Sequence, residues 1–242
     1  LPARWQSWGQ FFRYERPQRG RGRSFFQWNV DLLGSETPLA DAEVIQVACA
    51  LFMKLGLEAS DVQIKLNDRS ALEAHLTGAL GVPAKLVRGT LQVVDRLEKI
   101  GSERACAQMT EIGLDQQRSE DVVAFVQAPV IDPPERLAAI LEQLEITGCR
   151  SYVQLDQSIV RGFDYYTSTV FEAWATGGLR RAVFGGGRYD DLTTQVGGKQ
   201  RVPGVGMAVG DMALLELLRE LKRVPEPKQF GPEVLVTVFG DE

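Results

Sequence analysis

The sequence predicts an α+β fold in which strand-rich segments near both ends of the chain enclose a block of helices. Three observations carry this. Phe11 to Gly34, FFRYERPQRGRGRSFFQWNVDLLG, reads as strand, tight basic loop and strand, because strand-forming runs flank Pro17, Gly20 and Gly22. Ser70 to about Gln127 carries helix after helix, broken at Gly81-Val82-Pro83, Gly101 and Gly113. From Tyr152 onward, short β-rich runs return between turn residues.

In the hairpin, Phe11 to Arg16 forms the first arm and Ser24 to Leu33 the second. Successive side chains of a strand point to opposite faces. The second arm therefore presents Phe26, Trp28, Val30 and Leu32 on an apolar face, and Phe25, Gln27, Asn29 and Asp31 on a face with one aromatic and three polar groups. A solvated sheet face would look the same. The loop beside it argues for more, because Arg16, Arg19, Arg21 and Arg23 fall within eight residues, with Arg13 on the first arm. The chain carries a net charge of −5, so this is a local concentration of cations and marks a place for an anion.

Next, Pro38 to Leu57 places Val44, Val47, Ala48, Leu51, Phe52 and Leu55 on one helical stripe. Residues 61 to 68, DVQIKLND, alternate with period two and read as a strand returning to the sheet. In the helical block, Leu86, Leu91, Val94, Leu97 and Ile100 recur at helical spacing. Pro129 to Pro134 is a linker, and Pro133 to Gly148 an amphipathic helix with Leu137, Ile140, Leu141 and Leu144 on one face. Tyr152 to Asp156, Tyr165 to Trp174 and Leu179 to Phe184 are expected strands, and the triple glycine 185 to 187 marks close backbone approach. A short helix over Tyr189 to Val196 follows, then a strand from Gly204 to Val209 and a helix from Asp211 to Lys222, with Asp211 placed to cap it. KRVPEPKQFGP is a proline-rich linker, and PEVLVTVFGDE begins another strand.

Composition narrows the class. A pI near 5.2 argues against a surface that coats nucleic acid broadly, but not against a local anion site. The three cysteines, Cys49, Cys106 and Cys149, are odd in number and lack metal-ligand spacing, and with one histidine, His75, no metal centre is expected. No apolar run approaches the roughly 20 residues of a membrane helix, and no signal-peptide pattern opens the chain, so a cytoplasmic protein with reduced thiols is expected. The chain opens on Leu1, almost inside a strand, as a fragment would.

FRYERPQRGRGRSFFQWNVD resembles motif 2 of the class II aminoacyl-tRNA synthetases, in the form used by histidyl-tRNA synthetases. VRGFDYYTSTVFE at 160 to 172 and FGGGRYDDL at 184 to 192 resemble the two histidine-specific signatures of that family. Three matches in family order cover nearly the whole chain. The resemblance implies a central antiparallel β-sheet flanked by helices, with a helical insertion lying over the tRNA acceptor stem. It also implies ligation of histidine to tRNA(His) through a histidyl-adenylate, with ATP and Mg2+ and a homodimer. The expected divisions are residues 1–77 and 128–223 for the catalytic core, 78–127 for the insertion, and 224–242 for a linker and the first strand of an anticodon-binding domain.

Residue by residue, Arg13 matches the motif 2 arginine on the α-phosphate, and Arg161 the arginine of the first histidine signature that approaches it from the other side and also counts among the histidine-binding residues. Phe25 matches the aromatic that stacks on adenine, and Glu15 and Arg23 match further positions near the nucleotide. Gln27 and Asp31 match the positions that hold the α-amino group, although the family often has Glu where Asp31 stands. Tyr165 and Tyr166 match the pair lining the imidazole pocket, and Tyr189 the tyrosine of the second signature, which could equally be a core tyrosine under a glycine turn.

Two departures stand out. The expected Glu-Arg pair of motif 3, whose arginine binds the γ-phosphate, is replaced by Asp211-Met212, leaving the loop arginines, Arg21 above all, as the dense supply of replacement cations. Motif 1, the usual dimer element, would precede Leu1. A catalytically silent relative is the rival reading: the synthetase-like regulatory subunit of ATP phosphoribosyltransferase, or a tRNA-sensing paralogue. The altered motif 3 favours the rival, and the arginines of motif 2 favour the enzyme.

Overall fold

A computed structural model describes residues 2–14, 16, 20–161, 165–179 and 181–224. In chain order, β1 (Ala3–Phe12) and β2 (Ser24–Leu33) form the hairpin, followed by α1 (Pro38–Lys54) and β3 (Val62–Asp68). Five helices come next: α2 (Arg69–Gly78), α3 (Ala84–Val94), α4 (Leu97–Ile100), α5 (Ser102–Glu111) and α6 (Gln116–Gln127). After α7 (Glu135–Ile146), the chain returns through β4 (Val153–Leu155), β5 (Thr169–Ala175) and β6 (Ala182–Arg188). It continues through α8 (Leu192–Gln195), β7 (Gly204–Gly210) and α9 (Asp211–Glu220).

The strands form one sheet in the order β1-β2-β7-β6-β5-β3-β4. Every neighbouring pair is antiparallel except β3 and β4, so the expected antiparallel sheet carries one parallel edge. One face is closed by the principal core. There Ile45 and Phe52 of α1, Ile140 and Leu144 of α7, and Leu217 of α9 pack with Ile64, Phe171 and Met207 of the strands. Leu32 is buried in this core, with Trp28 and Val30 packed against it, as the apolar face of β2 requires. The opposite face of β2 is left for other uses.

A second core lies among the helices after β3. It draws on Leu72 and Leu76 of α2 as well as Leu91, Met109, Val122 and Val126, and Val160 of the returning chain joins it. Asp68 starts this unit by accepting from the backbone N–H groups of Ser70 and Ala71 at 2.9 and 3.2 Å, a side-chain cap worth roughly 1 kcal/mol.

Several expected boundaries shift. The first strand ends at Phe12 rather than Arg16, and the Arg13 amide donates to the Arg23 carbonyl at 2.9 Å as the loop begins. Residues 165–168 precede β5 rather than joining it, and the triple glycine lies inside β6. Gly210, not Asp211, occupies the cap of α9; Asp211 stands in its first turn, where a negative charge still meets the helix dipole favourably.

Candidate active site

A cavity of about 550 Å³ opens on the sheet face opposite the principal core. Phe25, Gln27, Asn29 and Asp31 line it, the alternate residues of β2 that the pleat turns away from Trp28, Val30 and Leu32. Arg21 and Gly22 reach it from the hairpin loop, Arg161 and Tyr166 from the segment before β5, Tyr189 from the end of β6, and Met212 from α9. The Arg13 guanidinium stands 5.1 Å over the centre of the Phe25 ring, while Phe11 stacks with that ring at 6.1 Å.

One end of the cavity is polar without being cationic. The Tyr189 hydroxyl donates to an Asp31 carboxylate oxygen, and burial, with this bond next, raises the phenol above its ordinary pKa so that it stays a donor. The pair fits because residue 206 is glycine: a Cβ there would fall onto Asp31 and 2.9 Å from the Tyr189 hydroxyl. Gln27 donates to Asn29 at 2.6 Å, and Asn29 to Ser7 at 3.3 Å, a relay that orients both amides from β1. Tyr165 and Tyr166 stand with ring centres 4.5 Å apart and hydroxyls at 3.4 Å. Burial, and then Tyr166, raises the Tyr165 phenol, which keeps a neutral hydrogen-bonding group beside the polar end.

Arg161 is held in the middle. Its backbone lies in the left-handed region at φ 57, which a non-glycine residue adopts at a cost of roughly 1–3 kcal/mol. The side chain is ion-paired with Glu172, itself accepting from the Trp174 indole at 3.1 Å, and its guanidinium carbon lies 5.7 Å from the centre of the Tyr166 ring. Burial opposes its charge, but Glu172 and then Tyr166 outweigh burial and raise its pKa. The guanidinium occupies the space that a side chain at Gly185 would need. Its Nε is buried and has no hydrogen-bond partner among the described residues.

Beneath Tyr189, a buried ion network fixes the end of β6. Arg188, fully buried, donates to Asp41 of α1 at 2.8 Å and to Asp190 at 2.8 Å, and Thr169 donates to Asp41 at 2.9 Å. The tyrosine between Arg188 and Asp190 is thus clamped on both sides.

Of the residues expected at the site, Arg13, Arg21, Phe25, Gln27, Asp31, Arg161, Tyr165, Tyr166 and Tyr189 share this cavity. Arg23 does not line it; its guanidinium lies 5.2 Å over the exposed Tyr14 ring. Glu15 and Arg19 lie outside the described residues, as does the final segment from 225. Three residues in or beside the cavity were given no role by the sequence. Asn29 lines the cavity from the polar strand face without a family match, Glu172 lies outside the cavity lining but pairs with Arg161, and Arg181 reaches the cavity from the start of β6. Strand alternation places Asn29 on that face, and Glu172 falls within the first histidine signature; Arg181 carried no signal.

The family model described as histidyl-tRNA synthetase matches residues 1–214. A histidine–tRNA ligase of Arabidopsis thaliana, chloroplastic/mitochondrial, is 36% identical over 97% of this chain and 49% of its own length. The histidine–tRNA ligase of Halobacterium salinarum is 37% identical over 99% of this chain and 58% of its own. The chain therefore spans about half the length of the curated relatives it matches. The histidyl-tRNA synthetase of Nostoc superposes with a TM-score of 0.79 over 93% of this chain and 56% of that one, at 23% identity. A Bacillus halodurans protein described as an ATP phosphoribosyltransferase regulatory subunit/histidyl-tRNA synthetase superposes at 0.72, covering 90% and 59%, at 21% identity, and both structures show the shared fold. With its motifs in family order, its sheet matched by these folds, and a family model running from residue 1 to residue 214, the chain belongs to the histidyl-tRNA synthetase family.

Proposed function

We propose that the chain is part of a class II histidine–tRNA ligase that binds histidine and ATP in this cavity, forms histidyl-adenylate, and passes the histidyl group to tRNA(His). The observation that carries the reading is the division of one cavity into a polar end built on Asp31, Gln27 and Tyr189 and an arginine-lined remainder. A carboxylate and an amide suit an α-ammonium group, and the neutral tyrosine hydroxyls suit an imidazole, which offers one donor and one acceptor.

In the first step, a histidine carboxylate oxygen attacks the α-phosphorus of ATP and pyrophosphate leaves. Such a transfer needs alignment and cations where charge shifts, rather than covalent help from the protein. Arg161, fixed by Glu172, and Arg13, beside Phe25, are the cations for that phosphate, with Phe25 as the platform for adenine. In the second step, a terminal ribose hydroxyl of the tRNA attacks the acyl carbonyl and AMP departs. Magnesium would accompany the triphosphate, with phosphate oxygens and water among its ligands, as is usual for this hard cation at nucleotide sites.

The helical unit, expected over residues 78–127, is assigned to the acceptor stem, and the assembly to a homodimer. The cytoplasm is the proposed setting, in keeping with three buried free thiols. Met212 at the cavity wall, where motif 3 would supply a charge, is the one observation favouring the regulatory-subunit reading. Calorimetry with histidine, histidinol and phenylalanine tests the assignment. Binding of the first two without the third is expected, with Asp31→Ala weakening histidine by about ten-fold or more. Equal binding of histidine and phenylalanine would overturn it, and histidine binding without any adenylate formation would favour the silent relative.

A further inference from the structure

We propose that Arg181, which no motif singles out, holds the distal phosphates of the nucleotide; the inference rests on the ATP-binding reading above. The described residues lining the cavity include four guanidinium groups, Arg13, Arg21, Arg161 and Arg181, against a single carboxylate, Asp31. Such an excess suits a polyanion.

The order of these groups along β6 assigns their parts. Tyr166 packs where a side chain at Gly187 would project, and the Arg161 guanidinium fills the corresponding space at Gly185. Arg181 precedes the first residue of the strand, four residues from Gly185, which is roughly 13 Å at about 3.3 Å per residue. The imidazole end, the reacting phosphate and the distal phosphates thus follow one another along a single strand. Phe184 pairs with Val209 across β6 and β7, so the start of β6 lies beside the junction at which β7 ends and α9 begins. At that junction the cavity wall offers Met212, which carries no charge.

Arg181 is also fixed in a way that suits an anion. It is half-buried, and its Nη1 donates to the Gly20 carbonyl, so the side chain already reaches across to the basic loop. A carbonyl oxygen there is a neutral acceptor, and a phosphate oxygen would make the stronger, charge-assisted bond. Arg21, on the same loop, is exposed, so water and salt screen its charge more fully than that of half-buried Arg181.

The test compares ATP with AMP, which lacks the distal phosphates. Their dissociation constants are measured calorimetrically for the 242-residue chain and for Arg181→Ala, Arg181→Lys and Arg21→Ala. Arg181→Ala is expected to weaken ATP by about ten-fold or more while AMP stays within about two-fold, with Arg181→Lys intermediate. An unchanged ATP affinity in Arg181→Ala, or a loss confined to Arg21→Ala, would overturn the proposal and give the role to the loop. Equal weakening of ATP and AMP would also overturn it, because Arg181 would then act by supporting the site's structure rather than by holding the distal phosphates. If the unsubstituted chain binds neither nucleotide, the ATP-binding reading itself fails, an outcome separate from any behaviour of the variants.

Discussion

Gly185 illustrates how a residue with no side chain can decide the position of one that has. A Cβ at this position would coincide with the Arg161 guanidinium, and Arg161 is held there by Glu172 despite a left-handed backbone and a buried Nε that lacks a partner among the described residues. A buried donor left in this state is costly in an inert site and useful where a ligand supplies the acceptor. Gly185→Ala should therefore displace the guanidinium rather than unfold the chain, with a packing cost of about 1–3 kcal/mol. Pre-steady-state adenylate formation is expected to fall by about 100-fold, the scale of losing one charge-stabilising donor. Histidine affinity should be little changed, because Asp31 and Tyr189 meet at Gly206 instead. Normal adenylate formation in a folded Gly185→Ala protein would remove Arg161 from the reacting phosphate.

Among the elements, the helical unit is packed around its own apolar centre, with α2 supplying Leu72 and Leu76. It is tied back to the sheet by polar contacts, including Gln157 donating to the Phe125 carbonyl at 3.0 Å, and by Val160, which joins its core. None of its residues lines the cavity on the sheet face. Removing residues 79–127 with a short Gly-Ser replacement, and making Leu72 and Leu76 polar to suit their new exposure, should leave histidine-dependent pyrophosphate exchange within a few-fold of its original rate. Transfer to tRNA should drop by about ten-fold or more if the unit contacts the acceptor stem. Loss of both activities in a folded protein would instead make the helices part of the catalytic core.

At the scale of the whole molecule, the most conspicuous surface is the hairpin. On β1, Trp5, Trp8 and Phe12 are 65%, 60% and 77% exposed, and Trp8 stacks on the half-exposed Phe26 at 5.7 Å. β1 stands at the edge of the sheet, with no strand beyond it among the described residues. Exposed aromatics along an unpaired edge favour association, both through buried apolar area and through open backbone groups. The 242-residue chain should thus self-associate in sedimentation velocity at micromolar concentration. Trp8→Glu should shift it towards the monomer without loss of helical signal. Unchanged association in Trp8→Glu would place the contact elsewhere.

Much of the candidate site was legible because strand alternation is a local rule. Once Trp28, Val30 and Leu32 are read as core, Gln27, Asn29 and Asp31 must share the other face, whatever the rest of the chain does, and their placement on the cavity wall follows. The helical stripes of α1 and α7 were readable for the same reason. What depended on tertiary structure is what depends on register between distant segments. The parallel pairing of β3 with β4, the membership of α2 in the helical core and the meeting of Arg161 with Gly185 join residues that no local period relates. Arg181 is the clearest instance. In the sequence it is one of two adjacent arginines beside a glycine turn, indistinguishable from solvated charge, and only the pairing of β6 with β7 carries it to the arginine-lined end of the cavity. Side-chain period is encoded within a few residues, whereas the alignment of strands is decided by the packing of the whole sheet.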